Sequence, residues 1–407
     1  MVFTASNVLL QVLVDAGITH AFVNLGSDHP SLLEAFIQRN RDGLKSLQIV
    51  TCPNESCLST VNLPFDHVSH SGVSFGQHNP LVEEADFILI IDSDVPWMPM
   101  HTKPSSSCEI YHIDCDPLKT QMAFHAFPSL LRAKADAALA LAQMYAHIIA
   151  SPALIPLPLV KERLAHLTSA YADRQSSLAA LETLPSDNIM TGPFIVASLR
   201  RNSPAKTTVC NEAISNYPHV WNHMRPSGPG SLFSSGASSL GWALGAAIGM
   251  QFAAEAEERL KRDLIAVVVG DGSFIFGVPS AAYWMARRYE TPFLTIVLNN
   301  GVRPVFILSL TNESLIRLVF QGWKSPRLSL LGVHPNGIAS QATAQELNVS
   351  FGPDAPDYGG IAAAAGGAWS RKVSKASELE EAMIEAIRVV VEEKRCAVLD
   401  CWLERFA

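Results

Sequence analysis

Two apolar runs that each end in a polar cluster constrain this chain most. Leu264-Ile265-Ala266-Val267-Val268-Val269 leads into Gly270-Asp271-Gly272-Ser273, and Phe293-Leu294-Thr295-Ile296-Val297-Leu298 leads into Asn299-Asn300. Short apolar runs bounded by glycine or asparagine read as buried strands. Between Gly272 and Asn299 lie 26 residues, room for one helix and one returning strand. Both polar clusters then fall at the C-terminal ends of parallel strands, where open α/β sheets place their ligands. A carboxylate and a carboxamide brought together there make a hard-oxygen site for Mg²⁺ carrying a diphosphate.

The rest of the composition narrows the class. A chain of 407 residues with 48% hydrophobic and 17% charged side chains has room for two or three domains with large buried sheets. The net charge of −8, with no run of Lys or Arg, argues against nucleic acid and against an anionic membrane surface. The longest apolar candidate for a membrane span, Val302 to Phe320, is broken by Ser309, Thr311, Asn312, Glu313, Ser314 and Arg317. The start Met1-Val2-Phe3-Thr4-Ala5-Ser6 lacks the basic residues of a secretory signal. Seven Cys without a Cys-x-x-Cys pair read as reduced thiols, so a cytoplasmic location is expected.

Three modules follow in order. Residues 1–62 carry a helical pattern at Ser6 to Ala16, a strand at Ala21 to Val23, a helix at Leu32 to Arg39 and a strand at Leu47 to Thr51 that ends in Cys52-Pro53-Asn54-Glu55. Residues 63–150 carry the strands Asp86 to Asp92 and Glu109 to Asp114. Residues 151–188 read as an Ala-, Leu- and Pro-rich helical linker. Residues 189–407 hold the two polar clusters, an amphipathic helix at Ser377 to Glu393 and a closing strand at Cys396 to Trp402. The expected class is α/β, with parallel sheets covered by helices on both faces.

The Gly-Asp-Gly…Asn-Asn spacing and this module order resemble the thiamine-diphosphate (ThDP) enzymes, in particular the acetolactate synthase and 2-oxo acid decarboxylase group. The resemblance implies a partial pyrimidine-binding domain at 1–62, a Rossmann-like central domain at 63–150 and a diphosphate-binding domain at 189–407. It implies ThDP and Mg²⁺ as cofactors, with Asp271, the side chain of Asn300 and the backbone carbonyl of Val302 as metal ligands. Gly270, Gly272 and Ser273 would let backbone N–H groups approach the diphosphate. The segment Ser235-Gly236-Ala237-Ser238-Ser239-Leu240-Gly241 resembles the family's glycine-rich turn. There Leu240 matches the apolar wedge beneath the bent cofactor, and the Ser238 carbonyl, beside Ser239, would accept from the 4′-amino group. Glu55 matches the catalytic glutamate that shares a proton with N1′ of the aminopyrimidine, which readies the coenzyme to attack a 2-oxo acid. The implied activity is an acetolactate synthase-like carboligase or decarboxylase. The alternatives are a benzoylformate decarboxylase-like or acyl-CoA lyase-type enzyme, or a catalytically incompetent protein of the same fold. The implied assembly is a homodimer or homotetramer with an active site shared between subunits.

Two departures from the family pattern stand out. The pyrimidine-domain portion is short: Leu63-Pro64-Phe65-Asp66 already leads toward Gly76-Gln77-His78-Asn79-Pro80, which reads as central domain. The family-like continuation of Asn299-Asn300-Gly301 is Gly322-Trp323-Lys324-Ser325-Pro326, and the 20 residues Val302 to Gln321 stand between them. Every Val codon begins GT and one Gln codon ends AG, the ends of a spliceosomal intron. The segment therefore reads as a retained intron, with a lid over the site as the alternative.

Other constellations carry less. His67, His70 and His78 read as surface or packing histidines. Asp92, Asp94, Asp114 and Asp116 end central-domain strands, and relatives bind FAD there. No Gly-x-Gly-x-x-Gly follows either strand, which argues against FAD. Trp242, Trp284 and Trp369 read as core aromatics.

Overall fold

The computed structural model describes residues 11–12, 14–15, 20–23, 48–51, 58–59, 64–70, 78–93, 96–97, 99, 102–118, 127–152, 156–235, 240–300, 303–307, 315–319, 336, 351 and 355–403. The chain divides into two compact units, Met1–Phe65 with Leu178–Ala407, and Asp66–Ser177.

In the first unit, β1 (His20–Val23) and β2 (Gln48–Thr51) form a parallel pair. The short β3 (Leu58–Ser59) pairs elsewhere, as described below. The second unit begins with the single turn α1 (Pro80–Glu83). Its sheet has three parallel strands, β4 (Phe87–Ile91), β5 (Glu109–Asp114) and β6 (Leu131–Lys134), with β5 in the middle. Ile90, Ile110 and Phe127 form its small core. The helix α2 (Ala137–Ala150) starts where the Asp136 carboxylate accepts the Leu139 N–H at 2.8 Å. The long α3 (Leu157–Leu181) runs across the boundary between the units.

The remainder of the first unit is a doubly covered sheet. In chain order it comprises α4 (Gly192–Asn202), β7 (Thr207–Glu212), α5 (Tyr217–Met224), β8 (Leu232–Ser234), α6 (Ala243–Ala256), β9 (Leu264–Gly270), α7 (Asp271–Phe276), α8 (Pro279–Arg288) and β10 (Leu294–Asn299). After β10 come β11 (Arg303–Ile307), β12 (Leu315–Val319), α9 (Tyr358–Gly366), β13 (Trp369–Val373), α10 (Leu379–Val391) and β14 (Ala397–Trp402). The strand order is β13-β14-β10-β9-β7-β8-β3, parallel throughout except where β3 meets β8.

Alternation along the strands splits their side chains between two cores. Val209, Leu264, Ala266, Val268, Leu294, Ile296, Leu298 and Leu399 pack beneath α4, α5 and α10. Cys210, Ile265, Val267, Val269, Val297 and Val398 pack beneath α6, α8 and α9. Because both faces are covered, β9 is apolar up to Gly270 and β10 carries only the buried Thr295 within its apolar run, which is why they were legible as strands. Each fully buried aliphatic side chain of this kind contributes about 1.5–3 kcal/mol.

One expectation needs correcting. Trp242 is buried, and Trp369 packs partly buried against the first core. Trp284, however, is 53% exposed on the outer side of α8, with the Arg288 guanidinium 5.5 Å from its ring centre. One helical turn of apolar spacing does not distinguish the core side from the outer side here. The stretch after β10 forms a separate antiparallel hairpin, with Arg303 opposite Val319 and Ile307 opposite Leu315. Among the described residues, no helix is long and apolar enough to cross a membrane.

Candidate functional site

The sheet reverses direction between β7 and β9. From β7 the chain continues outward to β8, then crosses back to β9 and on to β10. The helix after β7 lies on one face with Val220, and the helix after β9 lies on the other with Phe274. The connections therefore diverge at the C-terminal ends of these two strands, leaving the crevice in which open α/β sheets bind ligands.

The polar residues gather at that edge. Glu212 ends β7, Gly270 ends β9, Asn299 ends β10, and Asp400 lies near the end of β14. The register sets Leu298 opposite both Gly270 and Cys401. Asp271 opens α7 directly after β9 and is buried, its Oδ1 accepting the Gly272 N–H at 2.7 Å. Burial first, and then the charge of Asp400, push its carboxyl up to about 6 against that hydrogen bond. No ion pair reaches Asp271 among the described residues. Asn299 is buried and its Nδ2 donates to Asp400 Oδ1 at 2.7 Å. Burial also raises the Asp400 carboxyl, while Asn299 and Lys372 oppose it. The hydroxyl of the fully buried Tyr358 has no hydrogen-bond partner among the described residues, and burial first, then the charges of Asp271 and Asp400, raise its pKa.

This donor set fits a hard divalent cation. Two buried carboxylates and a side-chain amide offer oxygen ligands, and the Lys372 charge bears on Asp400 alone. A buried orphan hydroxyl beside them suits a hydrated ion or a phosphate oxygen.

The residues just before α6 lie beside the end of β7. Leu240 is half-buried, and Gly241 has φ +89. A Cβ on Gly241 would stand 2.8 Å from Gly277 Cα and 2.9 Å from the Phe276 carbonyl oxygen. Only glycine meets both demands. The Glu212 carboxylate, 1% exposed, accepts the N–H of Gly241 on Oε1 and that of Ala243 on Oε2 at 2.9 Å.

Of the residues singled out from sequence, Gly270, Asp271, Gly272, Ser273, Leu240 and Asn300 all belong to this edge or its loops, with Ser273 buried and Asn300 half-buried. Glu55, Ser238, Ser239 and Val302 lie outside the described residues. Sequence reasoning missed Glu212, Asp400 and Tyr358. The signal available for the first two was a lone carboxylate at or near the end of a strand. In the second unit, Asp92, Asp114 and Cys115 bring ligand atoms within 4.8 Å of one another, and His112 Nε2 lies 3.3 Å from Asp114 Oδ2.

Residues 213–305 match the family described as thiamine pyrophosphate enzyme, C-terminal TPP binding domain. The benzoylformate decarboxylase of Pseudomonas aeruginosa is 33% identical over 99 residues, 24% of this chain and 17% of that protein. Among solved structures, the chain is similar to the thiamine diphosphate-dependent 4-hydroxybenzoylformate decarboxylase of Rhodococcus jostii RHA1. There the TM-score is 0.53 at 17% identity, over 88% of this chain and 56% of the other. It is also similar to the benzoylformate decarboxylase of Polynucleobacter necessarius, with a TM-score of 0.54 at 17% identity over 88% and 56%. The chain thus spans little more than half the length of these solved relatives.

Proposed function

We propose that the seven-stranded half of this chain binds ThDP through Mg²⁺ and that the chain acts on a 2-oxo acid as a decarboxylase. The observation that carries the reading is the convergence of Asp271, Asn299–Asn300 and Asp400 at the C-terminal edge of the sheet, with Asp271, Asn299 and Asn300 inside the segment that matches a TPP-binding domain. Asp271 and the Asn300 side chain would ligate the metal, with the Val302 carbonyl as third ligand. Asp400 fixes Asn299 and thereby the strand end that presents Asn300. Gly270, Gly272 and Ser273 leave backbone N–H groups free of bulky side chains where a diphosphate would lie. Leu240 would support the coenzyme from below, with Ser238 and Ser239 beside its aminopyrimidine, and Glu55 would exchange the proton that prepares it. When bound, ThDP supplies a nucleophilic carbon and an electron sink for the pair released with CO₂. The buried Trp242 and Tyr358 help keep bulk water from the cleft floor.

Within the 2-oxo acids, the names of the relatives support an aryl substrate of the benzoylformate type over an acetolactate synthase-like reaction. Calorimetric titration of the chain with ThDP, with and without Mg²⁺, followed by CO₂ release from benzoylformate and from pyruvate, tests the proposal. Magnesium-dependent uptake with faster turnover of benzoylformate is expected. Absence of magnesium-linked uptake overturns the binding reading. Uptake without CO₂ release from either acid favours a catalytically incompetent protein of this fold, a second reading supported by the short stretch before the central unit.

A further inference from the structure

Glu212 shares the strand edge with the metal-binding cluster but has no role in the chemistry above. It is 1% exposed, and no ion pair reaches it among the described residues. Burial pushes its carboxyl up to about 7, although two backbone hydrogen bonds oppose the rise. A buried acid without a cation is costly, and it persists where something specific needs it. Each of its oxygens takes one N–H of the turn into α6: Gly241 on Oε1 and Ala243 on Oε2. Gly241 in turn rests on the backbone of Phe276 and Gly277, at the end of the helix that begins with Asp271. Glu212 thus ties the end of β7 to the turn that carries Leu240, and that turn to the end of α7.

Resting on the ThDP reading, we infer that Glu212 is a positioning residue that sets the height of Leu240 beneath the coenzyme's ring system, without bearing on the diphosphate anchor. A glutamine at 212 would keep the volume but replace one acceptor by a donor facing a backbone N–H. The turn would lose one of its two ties, and the Asp271 and Asn300 groups would be unaltered.

The test compares two probes on the full chain by calorimetry: ThDP with Mg²⁺, and inorganic pyrophosphate with Mg²⁺. The inference expects Glu212→Gln to bind pyrophosphate within about twofold of wild type and ThDP about tenfold more weakly or worse. Equal losses on both probes, the mark of a general loss of structure, overturn it, and so does an unchanged ThDP affinity. Glu212→Asp keeps two acceptor oxygens on a shorter arm and should fall between wild type and Glu212→Gln on ThDP alone. If Glu212→Gln fails to fold, Glu212→Asp carries the test by the same split. Wild-type chain that takes up pyrophosphate but not ThDP overturns the coenzyme reading and this inference with it. Wild-type uptake of ThDP that the variants share undiminished overturns this inference only.

Discussion

Replacing Glu182 by alanine removes one carboxylate that joins three elements of the first unit. Its two oxygens take a bidentate pair from Arg200 on α4, at 3.0 and 2.8 Å, and Oε1 also takes Arg225 at 2.8 Å and His223 Nδ1 at 2.9 Å. The Glu182 side chain is 9% exposed, and those of Arg200 and Arg225 are 25% and 26% exposed. Burial alone would raise this carboxyl, but the hydrogen bonds from Arg200 and His223 and the two guanidinium charges outweigh it and hold it at about 2. Against its ordinary value of 4.5, that corresponds to about 3 kcal/mol of stability at neutral pH. Removing one member of a buried pair gives a similar figure, about 3–5 kcal/mol. Because the folded value lies below the unfolded one, this stability is complete above about pH 4.5 and drains away as pH falls toward 2. Burial lowers His223 from its ordinary range, so below about pH 6.5 that histidine destabilises the fold in the same direction. Urea unfolding at a series of pH values should show Glu182→Ala about 3 kcal/mol less stable than wild type at pH 7, with the gap narrowing from pH 5 to pH 3. A gap below about 1 kcal/mol at pH 7, or one that ignores pH, would refute the reasoning.

Four further outcomes are expected. Asp271→Ala should lose magnesium-dependent ThDP uptake in calorimetry while keeping the far-UV circular dichroism of the fold. Asp400→Ala removes the hydrogen bond from the buried Asn299 amide, which should cost about 1–3 kcal/mol in denaturant unfolding; it should also weaken the Mg²⁺ affinity that supports ThDP uptake about 10–100-fold through the displaced strand end. Gly241→Ala meets both a left-handed backbone and a 2.8 Å contact, so its melting temperature should drop by the equivalent of about 1–3 kcal/mol. Sequencing cDNA from the source should return a transcript lacking the 60 nucleotides that encode Val302–Gln321; a transcript that keeps them supports the lid.

The polar clusters at 270–273 and 299–300 were legible because each follows a strand buried on both faces, and such strands announce themselves as near-continuous apolar runs. Asp400 was hidden for a different reason. Its partner Asn299 is 101 positions away, and only the placement of β14 beside β10 brings them together. Glu212 meets Gly241 across 29 positions, through a parallel crossover whose register no local pattern encodes. Tyr358 sits in an Ala- and Gly-rich helix whose periodicity is too uniform to indicate a buried face. Trp284 shows the converse: a large aromatic at helical spacing that the fold leaves outside.

The meeting of Gly241 with Gly277 has an evolutionary consequence. Two main chains touch there: site 241 has no room for a side chain, and a Cβ at 277 would press on Gly241 Cα at 3.3 Å, so site 241 cannot drift by a single substitution without straining its neighbour. The floor of the cleft is in effect frozen. Descendants of this sequence that acquired a taste for different acids would have done so by exchanging the side chains around that floor, while its backbone path stayed the same.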